Sequence, residues 1–225
     1  MAGRGGVNKH KQQWNGVVPL ECSFDTSKIF RLSSHLQWEV AREPIHHDIG
    51  TNKTSGVGLA MSFANAVKER VGVIGLVPCA VGGSAIKDWA RGTELYESMV
   101  QRAKAAAAHG GGGEIKAVLW YQGESETRSQ ERVDCYKENV ETLIHNVRED
   151  LDLPSLPIVM VAIASGDEKN VEKIREIQKG INLPNVVCVD SKGLQLAEDN
   201  LHLTTEAQVH LGRIVAEAYL THFLN

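Results

Sequence analysis

From residue 57 onward, hydrophobic positions switch regularly between helical and strand-like spacing. "VGLAMSFANAVKER" (57–70) repeats apolar groups at helical intervals through Leu59, Phe63, Ala66 and Val67, reaching the charged Arg70. "VGVIGLVPCA" (71–80) is a short Val/Ile-rich run closed by Pro78, as a buried strand requires. "SAIKDW…AAAAHG" (84–110) predicts a helix interrupted at Gly92 and stopped at Gly110. Three more strands follow in "EIKAVLWYQG", "LPIVMVAIASG" and "NVVCVDSKG". The helices between and after them are "SQERVDCYKENVETLIHNVRED", "DEKNVEKIREIQKGI" and "TEAQVHLGRIVAEAYLTHF". The first of these places Val133, Tyr136, Val140, Leu143 and Val147 on one face. The last turns Ala207, Leu211, Ile214, Val215 and Ala218 inward, with a Thr205/Gln208 capping box at its start.

A helix followed by four strand–helix units predicts an α/β fold with a parallel sheet covered on both faces. In such sheets ligands bind beyond the carboxyl ends of the strands. The candidate site loops are therefore "PCAVGGSAI", "WYQGESE", "AIASGDE" and "DSKGLQLAEDNLHL". Residues 8–56 read as irregular, with one short strand at "LQWEV". No internal repeat or linker divides the 225 residues, and "HGGGGE" (109–114) reads as a flexible helix-to-strand loop.

Composition narrows the partners. A net charge of −4 does not suit a polyanion, so no nucleic acid is expected. No apolar run is long enough to cross a membrane. "MAGRGGVNKHKQQW" lacks the apolar core of a signal peptide, which points to the cytosol. The four cysteines form no CxxC pair; Cys79 and Cys188 sit in apolar runs and read as buried free thiols.

Four stretches carry candidate chemistry. In "AEDNLHLTTEAQ" (197–208), Asp199 stands three residues before His202, just ahead of a helix. That spacing suits a carboxylate fixing the tautomer of an imidazole base, and equally a plain loop tie. In "CAVGGSAIKDW" (79–89) a strand ends, Gly82 and Gly83 turn, and a helix begins; backbone N–H groups there face an anion or oxyanion. Ser84 at this turn suits a helix N-cap at least as well as a nucleophile, and Ile86 breaks the G-x-S-x-G elbow. In "WYQGES" (120–125) the Gln122 amide can donate to an oxyanion, while Glu124 can buttress the loop or reach a polar ligand. In "EPIHHDIG" (43–50), His46, His47 and Asp48 are adjacent rather than spaced as metal ligands, so no metal is expected.

Together "MAGRGGV", "GVGLAMSFANAV", "IGLVPCAVGGSAIKDW", "AVLWYQGESE" and "DNLHLTTEAQ" resemble the SGNH-hydrolase superfamily. They look most like its plant carbohydrate esterases, related to sialate O-acetylesterases and carbohydrate esterase family six. The resemblance spans the chain and implies one domain, 1–225, with a flavodoxin-like three-layer α/β/α sandwich. It also implies a Ser-His-Asp esterase that removes acetyl groups from sugar hydroxyls without metal or organic cofactor. Carried onto this sequence, His202 is the general base and Asp199 its partner. The Gly83 backbone (or Gly82) and Gln122 are the oxyanion donors, and Glu124 is a substrate contact. The family's serine lies in a Gly-Gln-Ser-Asn motif, at the end of the first strand and directly ahead of "MAGRGG". The expectation is that this strand and serine lie upstream of Met1. The rival expectation is a non-catalytic form that binds acylated carbohydrate.

Overall fold

Ile29–Leu32 forms a strand, β1, where the sequence pattern offered only irregular chain. Its apolar run is broken by Arg31, which is nonetheless 1% exposed. The buried guanidinium is enclosed by acceptors: Asp48 at 2.6 Å, Glu39 at 2.9 Å and the Ile45 carbonyl at 2.6 Å. His47 Nδ1 lies 2.9 Å from the same guanidinium, so the 46–48 segment serves β1. The structure, a computed structural model, describes residues 2–108 and 113–224. The predicted stop at Gly110 and most of the glycine tract at 109–114 lie outside the described residues.

The remaining elements follow the predicted order. They are β2 (Trp38–Val40), α1 (Leu59–Val71), β3 (Ile74–Leu76), α2 (Glu94–Ala108), β4 (Val118–Trp120), α3 (Gln130–Asp150), β5 (Ile158–Ala162), α4 (Val171–Lys179), β6 (Val186–Asp190) and α5 (Thr205–Phe223). Short 3-10 helices at Ile86–Trp89 and Glu126–Arg128 precede α2 and α3. The break at Gly92 is real: its φ of 88° suits a residue without a side chain. Strands and helices make an α/β fold with two three-stranded sheets. In β2-β1-β3 the first pair is antiparallel and the second parallel; β4-β5-β6 is parallel throughout.

The chain divides into two compact units, Met1–Gly82 with Gly193–Leu220, and Gly83–Lys192 with Thr221–Asn225. The first holds a core of Cys22, Ile29, Ala41, Ile45, Val57, Met61, Ala64 and Val209. Its α1 buries Met61, Ser62, Phe63, Ala64 and Val67, whereas the expected Ala66 is exposed. Along α5, Ala207, Leu211 and Val215 are buried as expected, while Ile214 and Ala218 are half-buried. Gly212 is the reason α5 approaches α1 so closely: an added Cβ would stand 2.5 Å from the Leu59 carbonyl oxygen.

The second unit is centred on β5, whose five residues are all buried. The predicted face of α3 covers it, with Val133, Tyr136, Val140, Leu143 and Val147 buried. A small apolar pocket lined by Met99, Val118, Trp120 and Val140 lies between β4, α2 and α3. Among the described residues β3 and β4 each pair with a strand on one side only.

The cysteines depart from expectation. Cys79 and Cys188 are half-buried, and the fully buried thiol is Cys22, at 1% exposure. No helix among the described residues is long and apolar enough to cross a membrane.

Candidate active site

In the first unit, residues 195–204 double back on themselves. Leu196 bridges Leu203, the Ala197 N–H donates to the His202 carbonyl at 2.7 Å, and the Thr204 N–H donates to Gln195 at 3.0 Å. Asn200 makes the reversal at a φ of 53°, a conformation Asn tolerates well. At the tip, Asp199 Oδ2 meets His202 Nδ1 at 2.6 Å. Its Oδ1 accepts the backbone N–H groups of Leu201 and His202 at 3.0 and 2.9 Å. Burial by itself would raise the Asp199 carboxyl. The hydrogen bonds from His202, backbone and ring, and from Leu201 outweigh it and hold the group at about 2. An ionised carboxylate on Nδ1 keeps the proton on that nitrogen and leaves Nε2 as the acceptor. Both side chains retain 23% exposure, so the ring is reachable.

The cap lies one residue earlier than expected, and Ala207 at the third helical position cannot complete a capping box. Thr204, not Thr205, caps α5, its Oγ1 accepting the Ala207 N–H at 3.2 Å. The first helical bond runs from Gln208 N–H to the Thr204 carbonyl. The Thr–Thr pair made either register readable, and the hairpin bond from Thr204 to Gln195 decides between them.

The "MAGRGGV" stretch packs in the same unit. Gly5 and Val57 exchange a pair of backbone bonds at 3.0 Å, and the Gly56 N–H reaches the Gly3 carbonyl at 3.0 Å. Gly3 takes a φ of 77° with an added Cβ only 2.6 Å from Gly58 Cα. An added Cβ on Gly5 would stand 2.9 Å from Thr205 Cα. The motif glycines thus let three segments meet: 3–6, 56–58 and the start of α5.

The second unit holds the turn and the Gln loop. Gly83 takes a φ of 84°. Ser125 Oγ donates to its carbonyl at 3.2 Å. Ser84 is not the helix cap: Ala85 precedes the 3-10 helix, and Asp88 Oδ2 accepts the Ala85 N–H at 2.8 Å. Ser84 Oγ instead accepts the Trp89 indole N–H at 3.0 Å.

Gln122 is held at both ends. Its carbonyl accepts from Gln178 Nε2 at 2.7 Å and from the Tyr136 hydroxyl at 3.0 Å. Its side-chain Nε2 donates to Glu126 Oε2 and lies 3.5 Å from the Ser84 carbonyl. The Gln122 Oε1 is buried without a hydrogen-bond partner among the described residues, as is Glu124 Oε1. Burial pushes the carboxyls of Glu124 and Glu126 upward. Gly123, at a φ of 144°, sits where a Cβ would come within 2.8 Å of Gln178 Nε2.

The structure therefore brings together Asp199 with His202 in one unit, and Gly83 with Gln122 and Glu124 in the other. Sequence reasoning missed Glu126 and Gln178. Gln178 follows Ile174 by one helical turn and precedes Ile181 by three residues, so its place on the apolar stripe was readable. Glu126 carries no comparable signal, since it follows Gln122 by four residues in a loop.

Comparison with known proteins adds a family model, "Carbohydrate esterase, sialic acid-specific acetylesterase", matching residues 1–221. A protein named probable carbohydrate esterase At4g34215, from Arabidopsis thaliana, is 56% identical over 231 residues, covering 99% of this chain and 87% of the relative. Its crystal structure superposes with a TM-score of 0.95, covering 99% of this chain and 94% of that one. At 16% identity, NanS shares the fold with a TM-score of 0.73, over 90% of this chain and 89% of its own. XAC1771, a carbohydrate acetylesterase from Xanthomonas citri, does so at 22% identity and a TM-score of 0.64, over 87% of this chain and 48% of its own.

Proposed function

Because the chain belongs to the carbohydrate esterase, sialic acid-specific acetylesterase family, we propose that it hydrolyses acetyl esters on the hydroxyls of a carbohydrate, residues 1–225 working as one esterase domain. The observation that carries this reading is the Asp199–His202 pair. Its carboxylate is fixed by three hydrogen bonds, and its imidazole is left with Nε2 as the basic nitrogen. A general base so oriented takes the proton of a serine hydroxyl as that oxygen attacks the acetyl carbonyl. The same nitrogen returns the proton to the departing sugar oxygen, and then activates water to release acetate. Negative charge builds on the carbonyl oxygen meanwhile, and the Gly83 N–H and the Gln122 amide are the donors in this reading. Glu124 meets a substrate hydroxyl with its Oε1, which has no hydrogen-bond partner among the described residues.

In this reading the nucleophile is the serine of the Gly-Gln-Ser-Asn motif that the family resemblance implies.

The test is acetate release from a series of O-acetylated monosaccharides, together with fluorophosphonate labelling. Both are run on this chain and on one carrying Gly-Gln-Ser-Asn ahead of Met1. Hydrolysis and labelling in the extended chain, with hydrolysis lost in His202→Ala, are the expected results. Labelling of Ser84 in the 225-residue chain would replace this nucleophile assignment. Tight binding of acetylated sugar with no hydrolysis by either chain would favour a non-catalytic role.

A further inference from the structure

Glu126 is 1% exposed and divides its two oxygens between two loops. Oε1 accepts the Ile86 N–H at 2.8 Å, from the turn that carries Gly83. Oε2 accepts from Gln122 Nε2. The opposite end of the same amide, Gln122 Oε1, is buried and has no hydrogen-bond partner among the described residues. A buried acceptor left unpaired is unfavourable. An oxyanion is also an acceptor, so in this orientation Gln122 would turn oxygen toward oxygen.

The chemistry of a carboxyl resolves this. An ionised Glu126 is acceptor-only and can be faced only by the NH₂ end of the amide. A neutral Glu126 carries its proton on Oε2, because Oε1 is already committed to the Ile86 N–H. Oε2–H then donates to Gln122 Oε1, and the amide turns over about its last torsion. That rotation exchanges nitrogen for oxygen with no other atom displaced, and puts N–H where the unpaired acceptor now stands.

We propose that Glu126 is a positioning residue that selects the orientation of the Gln122 amide, presenting N–H to the site when its carboxyl is neutral and oxygen when it is ionised. The proposal rests on the esterase reading for its consequence, though not for the coupling of the two side chains. Burial first of all favours the neutral acid, while the Ile86 N–H, the Gln122 amide and the positive charge of Arg132 work against it. Glu124 on the same loop and Tyr136 from α3 also lie within reach of its charge, and Asp88 of the 3-10 helix accepts the Ala85 N–H beside its partner Ile86. From α4 comes the neutral Gln178.

Two consequences follow for catalysis. Activity declines on the alkaline side as Glu126 ionises, with a midpoint above the ordinary carboxylate range. Glu126→Gln is a permanent copy of the neutral acid: its oxygen accepts from Ile86, and its NH₂ donates to Gln122 Oε1.

The coupling is tested by ¹⁵N NMR of the Gln122 side-chain amide in the 225-residue chain, the signal being identified by its loss in Gln122→Leu. We expect it to shift with pH through one midpoint in the unsubstituted protein and to stay fixed in Glu126→Gln. A signal that does not titrate, or that titrates alike in Glu126→Gln, overturns the proposal. The catalytic arm uses whichever chain hydrolyses acetyl esters. Glu126→Gln should hold its kcat at alkaline pH where the unsubstituted enzyme falls. Glu126→Ala should lose kcat, by up to the ~10²–10³ of a missing donor, with KM little changed and folding confirmed by circular dichroism. An alkaline limb that persists in Glu126→Gln also overturns it. Absence of hydrolysis in every chain sinks the esterase reading instead, and the NMR arm still decides whether Glu126 orients Gln122.

Discussion

Gln178, wholly buried on α4, donates to the Gln122 carbonyl at 2.7 Å and accepts the Ile163 N–H at 2.9 Å. One neutral side chain therefore ties the end of β4 to the end of β5. The same amide nitrogen lies 3.0 Å from the Tyr136 hydroxyl. Gln178→Leu keeps the volume and removes every one of these bonds, leaving the buried Ile163 N–H without a partner and the Gln122 carbonyl with the Tyr136 hydroxyl alone. The expected loss is on the order of 2 kcal/mol in urea denaturation, mostly from the one orphaned group at roughly 1–3 kcal/mol. A loss under half that size would mean the loop reorganises freely around the gap.

Gly212 sets two effects against each other. Ala in a helix interior is favoured over Gly by ~1 kcal/mol. Against that, a Cβ at Gly212 would stand 1.8 Å from Ser62 Oγ and 2.5 Å from the Leu59 carbonyl oxygen. The hydroxyl can rotate away, but the Leu59 backbone cannot, so α1 and α5 must separate. Overpacking of this kind costs roughly 1–3 kcal/mol. Gly212→Ala is expected to lower Tm, and an unchanged or raised Tm would show that the two helices slide apart without penalty.

The Asp199 carboxyl, held at about 2 against an ordinary value of 3.8, contributes to stability at neutral pH. Its folded-state pKa is depressed, so the contribution is complete above about pH 4 and disappears as pH falls toward 2. The shift corresponds to about 2 kcal/mol. Asp199→Asn removes this acid-side slope, which denaturation at pH 4.5 and pH 2.5 measures. In an active esterase the same substitution releases the His202 tautomer, and kcat should fall by orders of magnitude, ~10⁴ where such a pair acts within a triad.

Glu43 behaves oppositely. Burial pushes its carboxyl up from 4.5 to about 7, although the N–H groups of Ile45 and Gly58 pull it back. It accepts those N–H groups at 2.9 and 3.2 Å, the second from the N-cap residue just ahead of α1. With the folded-state pKa raised, the stabilisation is complete below about pH 4.5 and is lost as pH rises through 7. The span amounts to about 3 kcal/mol. Thermal melts should show Tm declining between pH 5 and pH 8, and Glu43→Gln should flatten that decline. An equally steep decline in the variant would place the titration elsewhere.

Period and punctuation in the sequence determined the elements after residue 57, because an apolar stripe has one favourable way to leave water. The same logic placed the Asp199–His202 pair in a loop before a helix, since three residues is a distance that a turn spans. Tertiary structure decided what depends on partners far along the chain. Arg31 stays in a strand because Glu39, Ile45 and Asp48 enclose its charge, and no local pattern announces that enclosure. Ser84 gave up the cap to Asp88 because the Trp89 indole occupies its hydroxyl. Which end of the Gln122 amide faces Glu126 is set by a carboxyl four residues away whose ionisation depends on burial. Burial arises from the packing of whole elements, so it is a property of the folded chain and of no short stretch within it.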